Sequence, residues 1–385
     1  MSESNDQMPV WAGGDAFPSA PGGWGWLDHR GRRHECTGLG DLVEVLRRQG
    51  GKLRLVWTPD CSRMVVPEDV EGLREVLAEV ARRGAEDDMH TGGRRLAGCG
   101  VFLLALVVWE WTRGGFDAML ASGWIGGLLL LALIFGAIPW YRGWKELRRV
   151  NRGAIGGAED IADARFETWL ALQRAPVTWV LLGLMAVVGA FQLLPSDGLQ
   201  AAGLIKGAYR AGDWWRLFTS PWLHGHPVHW AMNAAALLYL GRRTEVLARW
   251  PHLALAFLVS AWVGGIASVY WVAAPSVGAS GGLLGLLGFL LVFETLHRRL
   301  VPVSARRRLL AGVVVIALMG LFGFRFIDNA AHAGGLVAGM AYALLVFMPS
   351  GSALRPKMLR RDAFAGGLAL AVLAAGAAFA CWRIM

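Results

Sequence analysis

The chain has 385 residues, 55% of them hydrophobic and only 17% charged, with a mean hydropathy of +0.42. That apolar content comes in long runs, which excludes an ordinary soluble domain and fits a polytopic membrane protein. The net charge of +9 sits in arginine-rich loops between those runs, so it reads as a topology signal and not as a nucleic-acid surface. Four scattered cysteines (Cys36, Cys61, Cys99, Cys381) give no disulfide framework, and with His29 and His34 they have no recognised zinc spacing.

Residues 1–23 are polar, glycine-rich and unlike a signal peptide; a disordered tail is expected there. Residues 24–95 are expected to form a small cytoplasmic α+β domain. Trp24–Arg33 alternates around Gly31 like a hairpin, and Asp41–Gln49 places Leu42, Val45 and Leu46 on one helical face. Lys52–Trp57 reads as a strand. Pro67 then opens a helix with Val70, Leu73, Val76, Leu77 and Val80 on one face, closed by Gly84. The stretch from Trp24 to Gly84, about 60 residues, can bury only a marginal core.

Nine apolar runs follow, of 14 to 23 residues, and each is read as a span, for which a bilayer requires ~20. Leu96–Trp111 and Ala118–Trp140 make a transmembrane hairpin over 96–140, joined by Thr112–Asp117. A basic cytoplasmic linker fills 141–175. The remaining runs are Val177–Leu194, Trp222–Leu240, Leu253–Ala274, Ser280–Leu296, Leu309–Phe322, Asp328–Met348 and Ala363–Cys381. Segments 141–175, 241–252, 297–308 and 349–362 hold 19 Lys and Arg, against six in the loops of the other side, so the first set and the N-terminal domain are expected in the cytoplasm. Trp109, Trp111, Trp140 and Trp222 stand at run ends, where interfacial anchors belong.

Three runs of the same direction carry polar residues in their outer halves. His229 and Asn233 are four apart, hence on one helical face. Ser280 opens a helix on which Gly281, Gly285 and Gly288 share a side, and His332 shares a face with Gly335 and Gly339. Small-residue seams let two helices approach closely in lipid, which would bring Ser280 within reach of His332 as a nucleophile with its base. A serine at a helix start is ordinarily a cap, and a lone intramembrane histidine ordinarily a packing residue. Four costly polar groups converging at one depth argue for a site instead. Gly278-Ala279-Ser280-Gly281-Gly282 also fits G-x-S-x-G, but that elbow needs a strand before the serine, and the flanks here are full apolar runs. A transporter is disfavoured by the lack of an internal repeat and of a charged pathway.

Gly278-Ala279-Ser280-Gly281 with Gly285 and Gly288, His229-x-x-x-Asn233, and Asp328-Asn329-Ala330-Ala331-His332-Ala333-Gly334-Gly335 with Gly339 resemble the rhomboid intramembrane serine proteases. Trp214-Trp215-Arg216 and His224 add to the likeness. The resemblance covers about residues 176–348. It implies an all-α polytopic membrane protein with a six-helix core, here with an extra N-terminal hairpin, and a linker and C-terminal span over 349–385. It implies a Ser280–His332 dyad cleaving transmembrane-anchored proteins at the outer side of a cell membrane, amid membrane lipids, with no metal, cofactor or nucleic acid. His229, Asn233 and the backbone N–H of Ser280 would form the oxyanion hole, and Trp215 and Arg216 would be structural. Many members carry an aromatic residue four positions after the serine, stacked on the histidine; here that position is Leu284. The competing expectation is a rhomboid-like protein that binds membrane clients without cleaving them.

Asp328 precedes His332 by four residues. It is expected to cap the helix rather than to orient the imidazole as a third catalytic member, because its side chain points back toward the helix start. Glu294 lies fourteen residues after Ser280, ~21 Å further along the helix and out of reach.

Overall fold

The computed structural model describes residues 8–49, 53–194 and 197–385, which fall into two compact units. One comprises Val10–Ala171 with Val314–Ile327, and the other Leu172–Val313 with Asp328–Met385.

The first unit begins with an antiparallel three-stranded sheet of order β2-β1-β3, built from β1 (Trp24–Leu27), β2 (Arg33–Cys36) and β3 (Leu55–Trp57). The expected hairpin is there: Trp24 faces Cys36, Leu27 faces Arg33, and Gly31 turns the chain at φ +78. Helix α1 (Leu39–Gln49) lays Leu42 and Leu46 on Trp26, Val56, Leu73 and Val76, with Val45 at the rim. Of the strand expected over Lys52–Trp57, Lys52 lies outside the described residues.

Four expectations need correction in this unit. Pro67 opens a 3-10 turn (Pro67–Asp69), and the long helix α2 starts only at Arg74. Gly84 does not close it: α2 runs Arg74–Ala121, so the soluble part and the first apolar run share one helix, with no boundary at 95. Its break falls at Gly114–Gly115, where Gly115 takes φ +66, a value open to glycine at little cost. Of the expected disordered tail, residues 8–23 are tethered at several points. Trp11 and Phe17 are buried, and the Arg165 guanidinium donates to the carbonyls of Trp11, Ala12 and Gly13 while pairing with Asp69 at 3.1 Å. Residues 1–7 lie outside the described residues.

The basic stretch 141–175 is no open linker either. From α3 (Gly123–Ala132) the chain passes through a wider π turn into α4 (Ile138–Asn151), and α5 (Ala158–Leu172) follows. Val150, Phe166, Trp169 and Leu170 are buried, so amphipathic packing is hidden in a polar sequence. Helix α4 lies tightly on α2. A Cβ on Gly92 would come 2.7 Å from the backbone N of Trp140, and one on Gly143 would strike the Ala85 carbonyl.

The second unit contains α6 (Pro176–Phe191), the short helices α7 (Gly198–Ala202), α8 (Lys206–Arg210) and α9 (Arg216–Thr219), then α10 (Pro227–Ala236) and α11 (Arg242–Ala248), joined through a π turn. After these come α12 (Trp250–Trp271), α13 (Ser280–Leu296), α14 (Val303–Phe322), which ends in the other unit, α15 (Asn329–Val346) and α16 (Arg360–Ile384). Helix α15 is gripped on two sides. A Cβ on Gly264 of α12 would approach the Ala331 carbonyl to 2.6 Å; on the α13 side, Gly335 abuts the Gly281 carbonyl and Gly339 the Gly285 carbonyl. Such backbone-to-backbone contact is open only to glycine.

Buried charges brace the same unit. Glu245 of α11 accepts from the backbone N–H groups of Val177 and Thr178, at 3.0 and 2.8 Å, at the start of α6, where the helix dipole favours an anion. Glu294 takes a two-point grip from Arg243 at 2.5 and 3.0 Å, both side chains fully buried, which accounts for it away from Ser280. Trp222, expected as an interfacial anchor, is fully buried against Phe257. Trp109, Trp111 and Trp140 are exposed.

Among the described residues, five helices are long and apolar enough to cross a bilayer, or six if the pair Ala158–Leu172 and Pro176–Phe191 counts as one span. Ser280–Leu296 is apolar but shorter. Nine expected runs exceed this number because several are broken by π turns or by arginines at their ends: Trp222–Leu240 becomes α10 plus a π turn, and α14 begins with three arginines in its first turns.

Candidate active site

The site is built around a turn. Gly278 adopts φ +121, and its N–H donates to the Ser220 carbonyl at 3.0 Å. Two residues later Ser280 opens α13, so its backbone N–H belongs to the unsatisfied first turn of a 17-residue helix. The positive end of that helix favours negative charge here.

Against this turn stand two side chains of α10. A Cβ on Gly278 would lie 2.7 Å from His229 Cε1, 3.0 Å from His229 Nε2 and 3.4 Å from Asn233 Nδ2. The absent side chain therefore leaves room for the imidazole and the amide beside the nucleophile turn. Asn233 is buried, and its Nδ2 has no hydrogen-bond partner among the described residues. An unmet buried donor costs about 1–3 kcal/mol, which marks it as waiting for an acceptor.

The loop before α10 holds those donors. Gln192 clasps the His224 backbone from both sides, donating to its carbonyl at 3.1 Å and accepting from its N–H at 2.9 Å. The His224 ring is buried, meets the His229 ring edge-on at 5.1 Å, and has neither nitrogen bonded among the described residues. His226 Nδ1 accepts from the His229 N–H at 3.1 Å and so caps α10.

His332 stands in the first turn of α15, next to Ala331, whose carbonyl lies 3.5 Å from the place a Cβ on Gly281 would take. The glycine seam thus brings the first turns of α13 and α15 side by side. Among the described residues no hydrogen bond joins Ser280 to His332, and His332 Nδ1 is buried without a partner. Leu284 is buried on the same helix as Ser280.

Asp328 caps α15: its Oδ1 accepts from the Ala331 N–H at 2.9 Å. Its Oδ2 accepts from the hydroxyls of Ser268 and Ser276, and among the described residues neither oxygen bonds the His332 ring. Those two serines, and the Lys206 ammonium that donates to both, were not singled out from sequence. The available signal was a lysine between Ile205 and Gly207, in a loop of the sparsely charged side.

The loop with α7, α8 and α9 is knitted by Arg216, 5% exposed, which donates to the carbonyls of Gln200 and Gly203 at 3.0 and 2.8 Å and pairs with Asp213 at 3.0 Å. Trp215 lies between the guanidinium groups of Arg216 and Arg383, 4.6 and 4.7 Å from its ring centre. Both are structural here, as expected.

Residues 211–349 match the family description "Rhomboid domain". The chain is 34% identical over 151 residues to "Rhomboid protease GluP" of Bacillus subtilis, covering 38% of this chain and 29% of that protein. It is 34% identical over 157 residues to "RHOMBOID-like protein 6, mitochondrial" of Arabidopsis thaliana, covering 40% and 51%. With "RHOMBOID-like protein 4" of the same plant it shares 32% over 152 residues, covering 39% and 38%. The matched stretch thus spans between 29% and 51% of these relatives' own lengths. The first expected core run, Val177–Leu194, lies before residue 211 and outside the family match. Multiple apolar helices make this a multi-pass membrane protein, and over residues 211–349 it is similar to the rhomboid domain.

Proposed function

We propose that this chain is an intramembrane serine endopeptidase that cleaves transmembrane-anchored proteins. Ser280 Oγ attacks the scissile carbonyl carbon, and His332 takes the hydroxyl proton and later gives it to the leaving amine. The carbonyl oxygen, negative in the tetrahedral state, is met by Asn233 Nδ2, the His229 ring and the Ser280 N–H. The observation that carries this reading is the buried, unpartnered Asn233 amide beside the turn that presents Ser280. A group left unsatisfied at rest and aimed at a nucleophile turn is what differential stabilisation of an oxyanion needs.

Nine spans, a cytoplasmic N-terminus, and cleavage at the outer side of a cell membrane complete the reading, supported by the excess of Lys and Arg in one set of loops. One observation favours a second reading, in which the protein binds membrane clients without cutting them: among the described residues, Ser280 and His332 share no hydrogen bond at rest. Catalytic hydrogen bonds often tighten only when substrate is bound, so the protease reading is retained. The test is labelling by a fluorophosphonate together with cleavage of single-span reporters, wild type against Ser280→Ala. Labelling and cleavage that depend on Ser280 are expected; a folded wild type that does neither supports client binding instead.

A further inference from the structure

Asp328 belongs to a buried charge relay. Lys206 Nζ donates to Ser268 Oγ and to Ser276 Oγ, each at 2.7 Å. Both hydroxyls donate onward to Asp328 Oδ2, the Ser276 one at 2.5 Å, and the two Oγ atoms are 3.0 Å apart. Each serine therefore accepts from an ammonium and donates to a carboxylate. Lys206 is 3% exposed and Ser268 fully buried.

The four residues come from four separate places in the chain. Lys206 starts α8, Ser268 lies near the end of α12, Ser276 sits four residues before Ser280, and Asp328 caps the helix of His332 four residues before it. Backbone bonds fasten the frame: Leu204 and Ser276 exchange N–H to carbonyl bonds of 3.0 and 3.2 Å, and Arg210 donates to the Val269 carbonyl at 2.9 Å.

A buried ion pair is a weak source of stability, because desolvation offsets the attraction and an apolar replacement is often neutral or better. Something other than stability is needed to account for it here. We propose that Lys206 is a positioning residue for the Ser280–His332 pair: through Ser268 and Ser276 its ammonium locks the loop that presents the nucleophile to the cap of the helix that presents the base. The proposal rests on the protease reading.

The charged groups that act on Lys206 are Asp328 across the relay and Arg210 on its own helix, with His332 one turn beyond Asp328. Burial, opposed by Asp328 and assisted by Arg210, pushes the ammonium down to about 8. The unfolded chain, with an ordinary lysine near 10.5, binds the extra proton between about pH 8 and 10.5, so the contribution of Lys206 to stability rises with pH across that window. Positioning runs the other way, since loss of the ammonium above about pH 8 slackens the relay. A lysine with a merely structural role would make activity follow stability. A positioning lysine makes the two diverge.

The experiment measures fluorophosphonate labelling of the full chain in detergent from pH 6 to 10, together with its melting temperature. It compares wild type, Lys206→Met and Lys206→Arg, with Ser280→Ala as the blank. Wild type is expected to label more slowly above about pH 8 with no fall in melting temperature. Lys206→Met is expected to label roughly ten- to a hundredfold more slowly at pH 7, without an alkaline limb, in a chain still folded at the assay temperature though melting lower, because Asp328 loses its counter-charge. Lys206→Arg, charged throughout, is expected to stay near the wild-type rate and to hold it to pH 10. A folded Lys206→Met with the wild-type rate and pH profile overturns the proposal. If neither lysine variant folds, Ser276→Ala decides: slower labelling without loss of melting temperature supports the relay, and an unchanged rate overturns it. A wild type that does not label at all defeats the protease reading, and the positioning role with it; a wild type that labels while the variants match it defeats the positioning role alone.

Discussion

Two helix pairs in this protein use the same packing device and differ in what stands at its end. In one unit α2 meets α4 and the π turn before it through Gly92, Gly136 and Gly143, against Ala85, Met89, Leu96 and Trp140. In the other α13 meets α15 through Gly281, Gly285, Gly288, Gly335 and Gly339, with backbone carbonyls directly against the facing glycines. Close approach is common to both, so a glycine seam is by itself a packing feature. Only the second ends in a turn that presents Ser280, with His332, His229 and Asn233 around it. The polar groups turn that seam into a candidate site, and the seam holds them in register.

The largest expected effect sharpens the comparison at that end. Ser280→Ala and His332→Ala should each abolish reporter cleavage while the chain stays folded in the membrane, because neither group alone makes a competent nucleophile. Substantial cleavage by either purified variant would sink the dyad. Next, Gly339→Val drives a side chain into the Gly285 carbonyl, so cleavage should collapse with loss of melting temperature. Wild-type activity in that variant would mean the seam does not hold the two first turns in register.

Asn233→Ala should lower turnover by about 10²–10³ with little change in KM, since it removes a donor used chiefly in the transition state. Steady-state kinetics on one reporter separates the two, and a pure KM effect would reassign Asn233 to substrate binding. The smallest effect on activity belongs to the other seam. Gly143→Val meets the Ala85 carbonyl and should destabilise α2 against α4 by about 1–3 kcal/mol, yet leave Ser280 labelling near wild type. Loss of labelling at unchanged stability would show that this seam, too, serves the chemistry.

Much of this was legible because it is local. The hairpin at Gly31, the apolar face of α1 and the glycine rows of α13 and α15 follow from periods of two and of 3.6 residues. The Asp328 cap was readable for the same reason, as an acid three residues before the N–H it accepts from. The missed features depend on distant partners. Residues 8–23 look disordered by composition, but Arg165, more than 150 residues from Trp11 and Gly13, satisfies their carbonyls. Gly84 looks like a helix stop; a stop needs the chain to turn, and α2 instead carries straight on, with open space where a side chain would be.

The sequence by itself determined the membrane class, the apolar runs and the identity of the polar residues that stand out against them, because hydropathy and helical spacing act over a few residues. Tertiary structure decided which of those polar groups meet. It set His229 and Asn233 against the Gly278 turn, left the Asn233 amide without an acceptor, and gave Glu294 to Arg243. It also joined Lys206 to Asp328 through two serines, across 52 to 70 residues of chain. The physical reason is that a buried polar atom must find a partner wherever packing brings one. Packing pairs residues by their position in space, and spacing along the chain does not reveal it.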